Sequence, residues 1–276
     1  MGIYNGKRSG IGKMKPETII PLLKEALNLS DSATVERHPA GLVNQVYHLK
    51  DGTRGFAVKW VGEDAFSGID RFHQFVLQQQ LAERGIAPEP VWLSDDELIW
   101  VEQWEEEADP HPSIRSPEAL ASVLARVHRL PITARPLNLF SRWLHYMHAA
   151  GLKEGDTLFD QAIQLRASLV KSEGNTDDYV LCHNDLLAHH VVRDSTPFIV
   201  DWEYSAMGNR YFDVAGCAKI NAMSEIQTQA LAIAYAKEVG KDESEVLSQV
   251  QLHMEIVNVT NDLWQAALEA NKQTAG

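Results

Sequence analysis

The chain has 276 residues, of which 45% are hydrophobic and 23% charged, and a net charge of −13. That length can bury a sizeable core in one or two domains. The acidic balance excludes nucleic acid as substrate, which needs a basic face, and suits a small cation drawn to an acidic surface. Cys182 and Cys217 are too few for a disulfide scaffold, and no apolar run reaches the roughly 18 residues of a membrane span. A cytoplasmic protein with no membrane partner is the expectation.

In chain order, residues 1–13 are rich in Gly, Lys and Arg without periodicity and read as a disordered extension. Pro16 to Leu29 places Ile19, Ile20, Leu22, Leu23 and Leu27 at helical spacing. The pattern then turns to strands: Thr34-Val35, Val46 to Leu49 and Gly55 to Trp60, with Asp51-Gly52 as a hairpin signal between the last two. Asp70 to Arg84 is helical again, closed by Gly85 and Pro88. Val91 to Leu93 and Leu98 to Val101 are two further strands. Beyond about residue 105 the pattern is mainly helical, and Glu105-Glu106-Glu107 reads as a solvated loop.

One segment interrupts those helices. His183-Asn184-Asp185 precedes the apolar Val191-Val192, and Phe198-Ile199-Val200 precedes Asp201-Trp202-Glu203-Tyr204. Asp194 to Pro197 reads as a turn, so the two apolar runs form a hairpin. Its geometry places Asp185 in the entering loop and Asp201 at the exit, on the same side. Phosphoryl transfer needs such a pair: one acid to take a proton from an attacking hydroxyl, the other to hold Mg²⁺ against nucleotide phosphates.

His183-x-Asp185, Asp201-Trp202-Glu203-Tyr204 and Phe212-Asp213-Val214-Ala215 together resemble the choline/ethanolamine kinase group of the aminoglycoside phosphotransferase superfamily, with thiamine kinases as near relatives. The resemblance covers nearly all of the chain from about residue 33. It implies an α+β, two-lobed, protein-kinase-like fold: an N-lobe at 14–104 with a five-stranded antiparallel sheet and one helix, and a mainly helical C-lobe at 105–276. Each lobe then forms one wall of a nucleotide cleft, with Glu102-Gln103-Trp104 as the hinge.

The resemblance also assigns roles. Asp185 is the catalytic base and Asp201, with Glu203, the metal ligand. Lys59, in Ala57-Val58-Lys59, clamps the phosphates. Ala40 to Tyr47 matches a phosphate-covering loop in which Gly41 and Asn44 approach the nucleotide, and Glu102 and Trp104 lie beside it. His128, His183 and Asp213 support the catalytic loop. The strand lysine usually pairs with a Glu on the next helix. None stands there, so Gln74 is the positional substitute, with Glu63 and Glu83 as alternatives.

A second departure is His190, where the family's motif has a metal-binding Asn. Imidazole is a poor exchange for an amide oxygen on Mg²⁺. Water in the missing place, His190 as a ligand to Mn²⁺, and loss of kinase activity are the three readings. As a ligand with an ordinary pKa of about 6.5, His190 would lose metal just below neutrality. For a cationic acceptor the chain offers Tyr211, Tyr235 and Trp264, with Asp262 nearby. The reading is an ATP- and Mg²⁺- or Mn²⁺-dependent kinase acting on the primary alcohol of a small cation, choline or ethanolamine first. Thiamine, an aminoglycoside, and a nucleotide-binding regulatory protein of the same fold are the alternatives. The oligomeric state is not encoded in any pattern of the sequence.

Overall fold

The computed structural model describes residues 14–39, 45–61, 65–105, 115–193 and 197–274. The expectations for residues 1–13 and for Gly41 and Asn44 lie outside the described residues. The chain divides into two compact units, Met1–Asp64 with Pro90–Trp104, and Ala65–Glu89 with Glu105–Gly276.

The first unit is a five-stranded antiparallel sheet of order β1-β2-β3-β5-β4. Its strands are β1 (Thr34–Arg37), β2 (Gln45–Asp51), β3 (Arg54–Trp60), β4 (Pro90–Leu93) and β5 (Ile99–Gln103). Asp51 pairs with Arg54 across a two-residue loop, and Gly52 supplies the positive φ of 62° that this turn requires. Alternation then decides which side chains share a face. Tyr47, Leu49, Phe56, Val58 and Val101 pack under α1 (Pro16–Leu23) with Ile19, Leu23, Leu27 and Leu29. Their neighbours His48, Ala57, Lys59, Trp100 and Glu102 occupy the opposite face.

Helix α1 is shorter than its apolar spacing predicts. Pro21 lies inside it and cannot donate to the carbonyl one turn back. The chain leaves through Asn28 at φ 49°. Arg54 donates to the carbonyls of Leu27 and Asn28 at 3.0 and 2.9 Å, satisfying groups that a longer helix would have bonded itself.

In the second unit a 3₁₀ turn at Ala65–Ser67 precedes α2 (Arg71–Ala82), which is capped by Asp70, whose carboxylate accepts from the His73 N–H. The expected N-lobe range of 14–104 includes this helix, and its core contacts run to the helices that follow. Leu77, Leu81 and Ala87 enter the same core as Leu120, Val123 and Leu124 of α3 (Pro117–His128) and Leu231 of α7 (Glu225–Val239). A second core joins α4 (Leu139–Ala149) and α5 (Thr157–Glu173) to Ile256 and Leu263 of the long α8 (Glu243–Thr274).

The hairpin forms from β7 (Val191–Arg193) and β8 (Phe198–Ile199). The helical run has a further interruption that the pattern does not show. Strand β6 (Tyr179–Cys182) pairs with β9 (Ala206–Asn209), Cys182 lying opposite Ala206. These strands are too short to reveal a period, yet they fix where the motif loop begins and where α6 (Arg210–Ile220) starts. No described helix is long and apolar enough to cross a membrane.

Candidate active site

The loop leaving β6 is held from below by one carboxylate. Asp213, in the first turn of α6, accepts the backbone N–H groups of His183 and Asn184, each at 2.7 Å. Asp213 is fully buried and stands 3.0 Å from Nε2 of His128, at the end of α3. Nδ1 of His128 lies 2.6 Å from the Tyr235 hydroxyl on α7. With Asp213 ionised, Nε2 carries the proton and Nδ1 accepts from tyrosine. Burial alone would raise the Asp213 pKa; the hydrogen bond from His128, joined by the backbone N–H of His183, outweighs it and holds the carboxyl below its ordinary value.

The tether lets the loop adopt a conformation that few residues accept. Asn184 has φ 63°, in the left-handed region, and its side chain donates to the Tyr204 carbonyl at 2.9 Å. Asp201 shares that conformation at φ 66°. Asn and Asp tolerate it better than other side-chain-bearing residues. Their left-handed turns redirect the chain on both sides of the hairpin, the conversion from sequence spacing to spatial convergence.

Asp185, His190 and Asp201 each offer a ligand atom, all within 4.8 Å of one another. His190 ends a single 3₁₀ turn after Leu187. Its Nδ1 lies 2.9 Å from the Asp185 carbonyl, and its Nε2 faces the Asp201 carboxylate at 3.7 Å. A carbonyl can only accept, so Nδ1 carries the proton and Nε2 bears the lone pair. Burial pushes the His190 pKa down to about 4, against the pull of Asp201. This corrects the expectation of a titration near 6.5: the ring is neutral throughout the physiological range.

Asp185 is driven the other way. Burial first, then the charges of Asp201, Glu203 and Asp213, hold its carboxyl well above the usual range. A divalent cation among these groups would offset that repulsion, and two carboxylates with an unprotonated imidazole nitrogen are a donor set that fits one. Glu203 is placed differently: its Oε2 lies 3.0 Å from Nη1 of the buried Arg71 on α2, and it is not one of the three convergent ligands. Arg71 escaped the sequence reading, because a lone Arg at a helix start carries no motif.

Gln74, expected as the partner of Lys59, instead donates to the Ser205 carbonyl at 2.8 Å. Lys59 Nζ pairs with Glu102 Oε1 at 2.9 Å, within the first unit. Glu102 Oε2 also accepts from the Trp100 indole at 2.8 Å. Trp104 stacks on His48, with ring centroids 3.8 Å apart and planes 8° from parallel. Its backbone N–H closes on the Gly55 carbonyl at 2.9 Å, and a Cβ on Gly55 would come within 3.1 Å of Trp104.

The residues singled out for a cationic acceptor do not assemble. Tyr211 and Tyr235 are fully buried in the core formed with α3 and α7, so neither presents a ring face to a ligand. Trp264 packs against the α4/α5 core, and Asp262 is exposed. Two positions apart on α8, they point in different directions. A further buried cluster, His128, Cys182 and Asp213, belongs to the loop support. Burial, then the Asp213 charge, pushes the Cys182 thiol far up, away from the thiolate a metal would need.

Residues 34–248 match the family model described as Phosphotransferase enzyme family. The LicA protein of Haemophilus influenzae is 27% identical over 164 residues, which cover 55% of this chain and 48% of that protein. The match thus spans about half of that relative. The solved choline kinase LicA from Streptococcus pneumoniae superposes with a TM-score of 0.71 at 18% identity, covering 93% of this chain and 91% of its own. The Plasmodium vivax ethanolamine kinase does so with a TM-score of 0.69 at 18% identity, covering 93% and 84%. At these identities the structural likeness establishes the protein-kinase-like fold.

Proposed function

The chain belongs to the phosphotransferase enzyme family, and we propose that it is an ATP-dependent kinase phosphorylating the primary alcohol of a small cationic molecule, choline or ethanolamine first and thiamine next. The observation that carries this reading is the convergence of Asp185 and Asp201 from opposite ends of the hairpin. The named activities of its relatives support the choice of acceptor but belong to those proteins.

Each residue has a task in this reading. Asp185 accepts the proton of the attacking hydroxyl, and its raised pKa brings it nearer the operating pH that a general base wants. Asp201, with His190 beside it, holds a divalent cation, Mg²⁺ or Mn²⁺, which when bound neutralises phosphate charge. Lys59, oriented by Glu102, binds phosphate oxygens. In this reading Asp185, left as the carboxylate facing the acceptor once Arg71 pairs with Glu203 and the cation sits on Asp201, is the charge that favours a cationic alcohol. Cytoplasmic ATP would be the donor.

The test is direct. Purified protein is given ATP with Mg²⁺ or Mn²⁺ and choline, ethanolamine, thiamine and an aminoglycoside in turn, and phosphorylated product is measured. Product from choline or ethanolamine above the others supports the reading. Nucleotide binding with no transfer to any alcohol would favour a regulatory nucleotide-binding protein.

A further inference from the structure

The geometry points to a mixed nitrogen and oxygen metal site, with His190 Nε2 and the Asp201 carboxylate as ligands, that selects a divalent transition ion such as Mn²⁺ over Mg²⁺ and binds it without nucleotide. This deepens the kinase reading by naming the metal, and rests on it only for the ion's role in phosphoryl transfer. Three independent features support it.

The first is the tautomer. The Nδ1–H of His190 is committed to the Asp185 carbonyl at 2.9 Å. Metal-ligating histidines are characteristically fixed this way, the far nitrogen donating to an oxygen so that the near one is free to bind. The Nε2 lone pair meets a carboxylate at 3.7 Å, beyond hydrogen-bonding range. Two electron-rich atoms facing each other at that distance attract a shared cation rather than one another.

The second is rigidity. The His190 N–H bonds the Leu187 carbonyl at 3.0 Å, and the His190 carbonyl accepts from the Val200 N–H at 2.9 Å. That second bond joins the backbone of His190 to the residue before Asp201, fixing the two ligands against each other. His190 is also 6% exposed, so the ring cannot swing out to solvent without opening the hairpin.

The third is the chemistry of the donors. Mg²⁺ requires oxygen ligands in a near-ideal octahedron, whereas imidazole suits Mn²⁺ and the later divalent ions. The neighbouring histidines do not compete. His183 Nδ1 accepts the Asp185 N–H at 3.3 Å, and its Nε2 faces the Val200 carbonyl at 3.3 Å. His189 is exposed, and its ring lies edge-on to that of His190.

The test measures metal binding on the full chain, with no nucleotide or acceptor present. Calorimetric titration with Mn²⁺ and with Mg²⁺ should show Mn²⁺ bound tighter by about tenfold or more, following the ligand preferences of the two ions. Pulsed electron paramagnetic resonance of the Mn²⁺ complex should show ¹⁴N modulation from a directly bound imidazole. His190→Asn should remove that modulation and, because an amide oxygen suits Mg²⁺ where imidazole does not, shrink the preference for Mn²⁺ over Mg²⁺ by about tenfold. Wild-type Mn²⁺ without nitrogen modulation would overturn the inference whether or not the variant folds. So would equal affinity for the two ions. Phosphoryl transfer is assayed separately. Nitrogen-bound Mn²⁺ without transfer keeps this site and sinks the kinase reading; transfer without nitrogen coupling does the reverse.

Discussion

Lys59 takes its carboxylate partner from its own sheet. Glu102 on β5 lies directly across from Ala57, two residues before Lys59 on the same face of β3, and its Oε1 stands 2.9 Å from Lys59 Nζ. Diagonal neighbours in a sheet are separated by about 7–8 Å at the backbone, a gap that long side chains close. The lysine is therefore oriented by strand register, which is set by core packing on the other face. Glu102 is 3% exposed and also braced by the Trp100 indole.

If Glu102 aims the lysine at phosphate, Glu102→Gln should raise KM for ATP about tenfold, the effect of weakening one charge-assisted hydrogen bond by about 1.5 kcal/mol. Gln74→Ala should change that KM much less, because Gln74 holds the Ser205 carbonyl. Steady-state kinetics against ATP on both variants checks this. A larger KM effect at Gln74 than at Glu102 would return the orienting role to α2.

Asp185 is the proposed base, so Asp185→Asn should lower kcat by about 10²–10⁴, the usual contribution of a positioned general base. The amide preserves shape, and the backbone bonds to His183, Leu187 and His190 remain. Nucleotide affinity should change much less than kcat, because His190 and Asp201 are the proposed metal ligands and the asparagine oxygen can still face the cation. Turnover of the best acceptor within twofold of wild type would remove Asp185 from the chemistry.

Asp201 carries both charge and strain. Its φ of 66° is tolerated by Asn, while Ala would add backbone strain to the loss of charge. Asp201→Asn is therefore the cleaner variant, and it should abolish metal-dependent ATP binding. Calorimetric titration of MgATP and MnATP reads this. Unchanged affinity and metal dependence would show that the cation is held elsewhere.

The five strands and the motif hairpin were legible because each rests on a local signal: alternation, Asp51-Gly52, and an apolar run bounded by turn residues. The acids could be placed on one side of the hairpin from spacing alone. The partner of Lys59 could not, since it depends on the register of β3 against β5, which no local pattern encodes. Tyr211 and Tyr235 misled for a related reason: an aromatic at helical spacing looks the same whether its face meets ligand or core, and both meet core. The state of His190 was equally hidden. Its shift to about 4 arises mainly from burial, a property of tertiary packing. Asp213 was readable as loop support, but the Tyr235–His128–Asp213 chain beneath it joins three helices far apart in sequence.

That chain leads to a prediction about acid stability. The Asp213 carboxyl has its pKa lowered in the folded protein, burial being outweighed chiefly by His128. A group whose folded pKa lies below its unfolded value of about 3.9 stabilises the fold above that value. The contribution fades as pH falls through the lower, folded pKa. Wild type should thus begin to lose this contribution as pH falls below about 4. Asp213→Asn cannot accept both the His183 and Asn184 N–H groups while also pairing with His128, so at pH 7 it should be less stable by about 3 kcal/mol or more, as when one partner of a buried pair is removed. The gap should narrow toward pH 3, because protonation there costs wild type what the substitution has already removed. Urea denaturation of both proteins between pH 3 and pH 7 measures it. Parallel stability profiles across that range would show that the carboxylate of Asp213 does not hold the loop.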